Sequence, residues 1–264
     1  MLFRLTTLEL ILVLVAIVFG ATGVAVLLGR RHREKSEMRE PFAVLQGALL
    51  GVVGLILAFG LSLAVGRYQD RRAAVVDEAN AIGTTYLRAQ TLAEPVRGRS
   101  LALLVRYTDL SIRLSSAVPG SAEAKSIVAD ENVLQRRLWA LAGQAIAASP
   151  VDTAPRLYVE TLNEMIDSQG VRVAGLDNRV PTEVLVLEIV GAAAATALLA
   201  FYLSVLGRGL LTVLLAAGLV TMLLYVSFDL DRPTRGLITV PNTPLVSLRA
   251  EMSLPPAASG PAEP

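Results

Sequence analysis

Six of the charged side chains at or inside apolar stretches of the chain are candidates for the chemistry it has to offer. Glu9 and Glu188 lie about a turn inside two such stretches, while Arg67, Asp70, Arg71 and Arg72 follow directly on a third. An ionised carboxylate in hydrocarbon costs about 2.5 kcal/mol or more near the bilayer centre and less near its edge, so it requires a partner or water. Two readings follow for Glu9 and Glu188: a wet vestibule lined by alternating charges, or snorkelling towards the headgroups. The first predicts that an arginine from the Arg67, Arg71 and Arg72 group pairs with Glu9 or Glu188. At the junction itself, Arg67 and Asp70 are three apart and Tyr68 and Arg72 four apart, spacings at which side chains meet on a helix surface. Tyrosine and arginine also mark membrane interfaces.

Other chemistries are excluded by what the chain lacks. With no cysteine there is no disulfide, thiolate metal site or cysteine nucleophile, and the single histidine, His32, sits among arginines without a ligand partner. No metal site and no cofactor are expected. No nucleophile–base set or phosphate-cradling loop occurs at recognisable spacing, so the chain does not read as an enzyme. The formal charge of +1 offers no clustered cationic face for nucleic acid.

The elements that position these charges are long apolar helices. The 264 residues are 53% hydrophobic with a mean hydropathy of +0.56, and the apolar residues gather in blocks of about 20, the length a bilayer core demands. Four spans are expected, at about Leu8–Leu28, Phe42–Gly66, Val184–Leu206 and Leu210–Phe228. The first exceeds the apolar core of a signal peptide and a second span follows it closely, so it reads as a retained anchor. Only Gly207, Arg208 and Gly209 separate the last two, which makes them an antiparallel hairpin. The fold class is therefore all-α: four transmembrane helices in two hairpins, with an extramembrane helical domain between spans two and three.

The domain boundaries follow. Residues 1–66 form the first transmembrane hairpin, 67–182 the helical domain, 183–228 the second hairpin and 229–264 a C-terminal tail. Within the helical domain, breaks at Pro95, Pro119-Gly120, Pro150 and Pro181 delimit helices at about Arg67–Ala93, Val96–Ser116, Ala122–Ala148 and Thr153–Val180. Nothing interrupts the chain between the second span and the first of these, so one long helix is expected through to about Ala89. Leu101, Leu104, Tyr107 and Leu110 make an apolar stripe, as do Val133, Leu138, Leu141 and Ile146 less strictly. Trp139 reads as a core or interface anchor. The last ten or so residues are expected to be disordered, having almost nothing to bury, and Thr239 to Leu248 to lie extended against the body. Gly47 and Gly51, at small-xxx-small spacing in the second span, suit close helix packing and equally the general tolerance of glycine in lipid.

Placement in the cell membrane follows from the spans, with both termini and the middle domain on one side. Five basic residues between the first two spans favour a cytoplasmic loop. Arg4, Arg67, Arg71, Arg72, Arg172, Arg179, Arg232 and Arg235 crowd the other face, so charge leaves the orientation open.

The run from Phe59 to Ala89 carries most information, because Glu78-Ala-Asn-Ala-Ile-Gly sets small residues among polar ones. Together with Arg67-Tyr68…Arg71-Arg72 and the late Leu230-Asp-Arg-Pro, it resembles the bestrophin-like domain family over about residues 42–250. Tyr68, Glu78, Asn80 and Gly83 carry that motif. The family in turn resembles bestrophin anion channels, pentamers whose second span lines the pore and is followed by a pattern close to R-W-W-E-x-R and an asparagine eight residues later. Residues 67–72 and Asn80 overlay it without a gap. The resemblance implies a homo-oligomeric channel in the lipid bilayer, with inorganic anions as permeant partners and Leu55 and Phe59 as neck residues; as apolar residues in a span they equally suit lipid or helix packing. Gly51 stands at the third neck position, and a glycine narrows nothing. The other reading is a non-conducting scaffold or sensor whose helical middle domain binds partners.

Overall fold

The computed structural model describes residues 6–31, 39–207 and 209–258, with the side chains of 39–43 and 45 set aside. Arg4, His32, Arg33, Lys35, Arg208 and the last six residues lie outside this description. Every regular element among the described residues is an α-helix: α1 Thr7–Arg31, α2 Arg39–Ala89, α3 Val96–Ser116, α4 Ala122–Ala148, α5 Thr153–Asp177, α6 Thr182–Val205, α7 Leu210–Leu230 and α8 Thr243–Glu251. The expected elements thus form close to their sequence boundaries. The uninterrupted α2, 51 residues long, contains both the second span and the helix that follows it.

Among the described residues four helices are long and apolar enough to cross a membrane, within Thr7–Arg31, Gln46–Ala89, Thr153–Val205 and Leu210–Leu230. Their apolar residues face both ways. Leu12, Val24 and Leu27 of α1, Leu187 and Val190 of α6, and Leu211, Leu215 and Leu219 of α7 are all exposed, a surface that hydrocarbon covers and water penalises.

The chain divides into two compact units. The first holds residues 1–68 and 179–239, with α1 seated on α6 and α7, and α6 on α7. Its core is Leu10, Leu14 and Val18 of α1 with Val53 and Leu57 of α2, Leu185, Ile189 and Ala192 of α6, and Leu224 and Phe228 of α7. Among the described residues of this unit Glu9 meets no arginine. Its carboxylate accepts from the Thr6 amide at 2.7 Å while the Thr6 hydroxyl accepts from the Glu9 amide at 3.2 Å, a capping box that starts α1.

The second unit holds residues 69–178 and 240–264. Helices α3, α4 and α5 are cut as the breakers require, and two carry side-chain caps: Ser121 accepts from the Ala124 amide at 3.1 Å, and Asp152 from the Thr153 amide at 2.8 Å. The core joins Val75 and Ile82 of α2, Leu104 and Tyr107 of α3, Leu138 and Leu141 of α4, and Tyr158, Leu162 and Met165 of α5. The α3 stripe faces inward as expected. On α4 the phase differs: Leu134 is buried and Val133 exposed, because Ile127, Leu134, Leu138 and Leu141 recur at the helical repeat and Val133 falls out of step. Trp139 is exposed in the single chain, not part of its core. The segment around Thr239–Leu248, expected to be extended, instead forms α8, which has proline in its first turn, buries Leu245 and packs on α3. Arg249 of α8 bonds Asp109 of α3 at 2.7 Å.

Candidate functional site

In the first unit, α2 buries one face and bares the other. Val53, Leu57, Gly60 and Ala64 turn inward at alternating steps of three and four, which places Val52, Leu55, Phe59 and Leu63 outward. Leu55 is 57% and Phe59 63% exposed, so neither contributes to the core of its own chain. Nothing lies within 4 Å of where a Cβ would stand on Gly47, Gly51, Gly54 or Gly66, so those glycines make no close packing inside the chain.

Gly60 is different, because a Cβ there would overlap the carboxylate of Glu188 on α6. Glu188 is buried, neither carboxylate oxygen accepts a hydrogen bond among the described residues, and the ion pair expected of it is not made with Arg67 of the same unit. Arg67, half-buried, likewise holds one terminal nitrogen without a hydrogen-bond partner. Gly60→Leu is expected to destabilise the chain by about 1–3 kcal/mol through this overlap. Glu188→Ala in the same chain should relieve most of the loss, by emptying the space. Thermal unfolding of the four combinations in detergent reads the coupling, and an equal loss with and without Glu188 would discount the contact.

The end of α7 is organised by a buried acid. Asp229 accepts from the amides of Leu237 and Ile238 at 2.9 and 2.8 Å and from the Tyr225 hydroxyl at 3.1 Å. Asp231, also buried, accepts from the Val180 amide at 3.0 Å, tying the start of α6 to the end of α7. Carboxylates at the end of a span are ordinarily exposed to headgroups, and Asp229 and Asp231 are not. They are instead internal struts of the Asp229-Leu-Asp-Arg-Pro turn.

In the second unit the motif residues separate by burial. Asp70, Arg72 and Asn80 are exposed, and Tyr68, which closes the first unit, is half-buried. Gly83 is half-buried, with Leu248 of α8 3.1 Å from where its Cβ would be. Arg71 is buried and donates to the carbonyls of Gly175 at 3.0 Å and Asn178 at 2.7 Å, satisfying acceptors that α5 leaves open where it ends.

Glu78, fully buried, enters a polar layer built from four helices. It pairs with Arg172 of α5, whose other terminal nitrogen donates to the Ser111 carbonyl at 2.8 Å and the Ser115 hydroxyl at 2.7 Å. The Ser111 hydroxyl of α3 lies 3.3 Å from Glu78 and 3.0 Å from Glu131 of α4. Gln169 of α5 donates to Glu131 at 3.0 Å. Burial, and secondarily the neighbouring Glu78, push the Glu131 carboxyl up to about 7, against the opposing pull of the Gln169 and Ser111 bonds. Tyr107, which accepts from Gln135 at 3.3 Å, is raised well above the usual phenol range by burial and by the same two carboxylates. Sequence reading singled out Glu78 alone of these. The signal for the rest was phase: Glu131 follows Ile127 by four and precedes Leu134 by three, Ser111 stands between Tyr107 and Leu114, and Arg172 continues the Leu162, Met165, Gln169 stripe.

With four bilayer-length apolar helices among its described residues, all of whose regular elements are helical, and apolar outer surfaces on them, the chain is a multi-span helical membrane protein. The sequence profile of the bestrophin-like domain matches residues 12–245, and the chain belongs to that family. Solved structures agree on the fold. A point variant of a bacterial bestrophin homologue from Klebsiella pneumoniae aligns at a TM-score of 0.69 and 14% identity, covering 89% of this chain and 97% of that one. The same homologue in another crystal structure gives 0.66 and 14% over 89% and 96%, and a membrane protein point variant 0.67 and 16% over 89% and 97%. At such identity the likeness is one of fold. No curated protein matches the sequence.

Proposed function

We propose that the chain assembles as a symmetric ring in the cell membrane and conducts inorganic anions, with α2 facing the axis and Leu55 and Phe59 forming an apolar neck. The observation that carries this reading is the bare face of α2, an apolar stripe that one copy leaves uncovered while the opposite face is packed. Past the stripe the same side of α2 continues with Asp70, Asn80 and Thr84, all exposed, so the bared face turns from apolar to polar along one helix. Arg67 and Arg72 would raise the local anion concentration at a pore mouth. An apolar constriction gates by dewetting, and ring closure by rotation covers surfaces that a single copy leaves open. Both termini and the region between spans two and three are placed on one side of the membrane, and no catalytic role is assigned.

Two measurements test the reading. The native particle in detergent should have a mass several times that of one chain; a monomer would sink the ring. In planar bilayers under a salt gradient the wild-type chain should pass anion-selective current, and Leu55→Ala with Phe59→Ala should raise it several-fold by widening the neck. A ring that passes no current in either form would return the assignment to a scaffold or sensor.

A further inference from the structure

The polar layer of the second unit has one close oxygen–oxygen contact more than its permanent donors can serve. Ser111 has a single hydroxyl hydrogen, yet its oxygen lies within bonding distance of a carboxylate oxygen on each side, at 3.3 Å from Glu78 and 3.0 Å from Glu131. It can donate to one of them only, so the other contact needs a proton from the carboxyl side. Among the described residues Arg172 is the one cation in the layer, and it is spent on Glu78 and on the Ser111 and Ser115 oxygens. Glu131 meets no cation directly: it faces Glu78 from α2, Ser111 and the Tyr107 phenol from α3, and Gln169 and Arg172 from α5. Glu78 and Glu131 are both fully buried, where an extra uncompensated charge is expensive.

We infer that this layer is a proton-dependent latch: Glu131 holds a proton while α2 to α5 are closed on one another, and its release sets a second carboxylate against Glu78 with a single guanidinium to serve both, loosening α4 from its neighbours. The window lies near neutrality, since burial raises Glu131 from the ordinary 4.5 to about 7. For an acid raised by folding, the closed unit binds the proton more tightly than the open chain. Its stabilisation is therefore complete below pH 4.5 and is lost as pH rises through about 7. The latch is independent of whether the chain conducts.

The test uses the full chain in detergent. Infrared pH-difference spectra should show a protonated-carboxyl stretch that disappears around the value of about 7 given for Glu131. That band should be kept in Glu188→Gln and absent when Glu131→Gln is added to Glu188→Gln, which separates it from the other buried, unpaired glutamate. The thermal midpoint of the wild type should fall by several degrees between pH 4.5 and about 7, while Glu131→Gln stays level at the acid value. Should Glu131→Gln fail to fold, Ser111→Ala decides: the protonated Glu131 carboxyl donates to the Ser111 oxygen, so removing that acceptor should move the band's midpoint downward. No band titrating in the window, a band retained when Glu131→Gln is added to Glu188→Gln, an unchanged slope of the thermal midpoint in Glu131→Gln, or a band midpoint that stays or rises in Ser111→Ala would each overturn the latch.

Discussion

Arg172→Leu should cost the chain about 3–5 kcal/mol, because it leaves the Glu78 carboxylate buried without its cation and the Ser111 carbonyl and Ser115 hydroxyl without their donor. The size comes from what is stranded, not from the attraction that is lost. Replacing both members, Glu78→Leu with Arg172→Leu, should therefore cost less than the two single changes added together. The exposed pair of Arg249 and Asp109 supplies the contrast, with side chains 35% and 51% accessible. Solvent screens that pair, and Asp109→Asn should cost about 1 kcal/mol or less. Thermal unfolding of the detergent-solubilised chain, followed by Trp139 fluorescence and by helical circular dichroism, ranks the four variants. An Arg172→Leu chain as stable as Asp109→Asn would mean that the polar layer contributes nothing to the closed bundle.

The elements were legible in the sequence because two strong signals coincide in it. Apolar blocks of bilayer length give the spans, and proline or proline-glycine breaks between them give the helix ends, as at Pro119-Gly120 and Pro150. The unbroken α2 was legible for the complementary reason, the lack of any breaker after Gly66. Contacts between helices were less so. Glu9 was expected to need an arginine, but a threonine three residues earlier satisfies it locally, and the Thr-x-x-Glu spacing that signals this is plain in Thr6-Thr7-Leu8-Glu9. Glu188 was read as shallow and solvated, yet a glycine on another helix, Gly60, makes room for it to be buried. That pairing joins residues 128 positions apart in sequence (188 − 60), and no periodicity within either helix carries it. The polar layer was missed because its members were weighed singly as charges near span ends, as Arg172 was, instead of by their phase within apolar stripes. Leu55 and Phe59 are the reverse case: the helical repeat alone puts them on the face opposite Val53 and Leu57, and the structure leaves them bare.

Asp229→Ala is expected to unfasten the turn that follows α7, at a cost on the order of 3 kcal/mol, because three donors lose a charged acceptor at once. One carboxylate oxygen serves both the Leu237 and Ile238 amides and the other serves the Tyr225 hydroxyl, so the side chain fixes the returning chain in two directions. The return also depends on Gly236, whose φ of +115° lies in the left-handed region and whose missing Cβ leaves the space that the Asp229 carboxylate fills. Gly236→Ala should therefore mimic Asp229→Ala, through backbone strain and overlap instead of lost acceptors. Asp229→Asn should be milder than either, since an amide oxygen can still accept from the two backbone donors while its NH2 group donates to the tyrosine oxygen. Hydrogen exchange resolves the cause as well as the size: the Leu237 and Ile238 amides should lose protection in Asp229→Ala and Gly236→Ala and keep most of it in Asp229→Asn. Asp70→Ala, at an exposed site, should leave both amides as they are in the wild type. Protection of Leu237 and Ile238 unchanged in Asp229→Ala would show that the turn is held by its backbone alone.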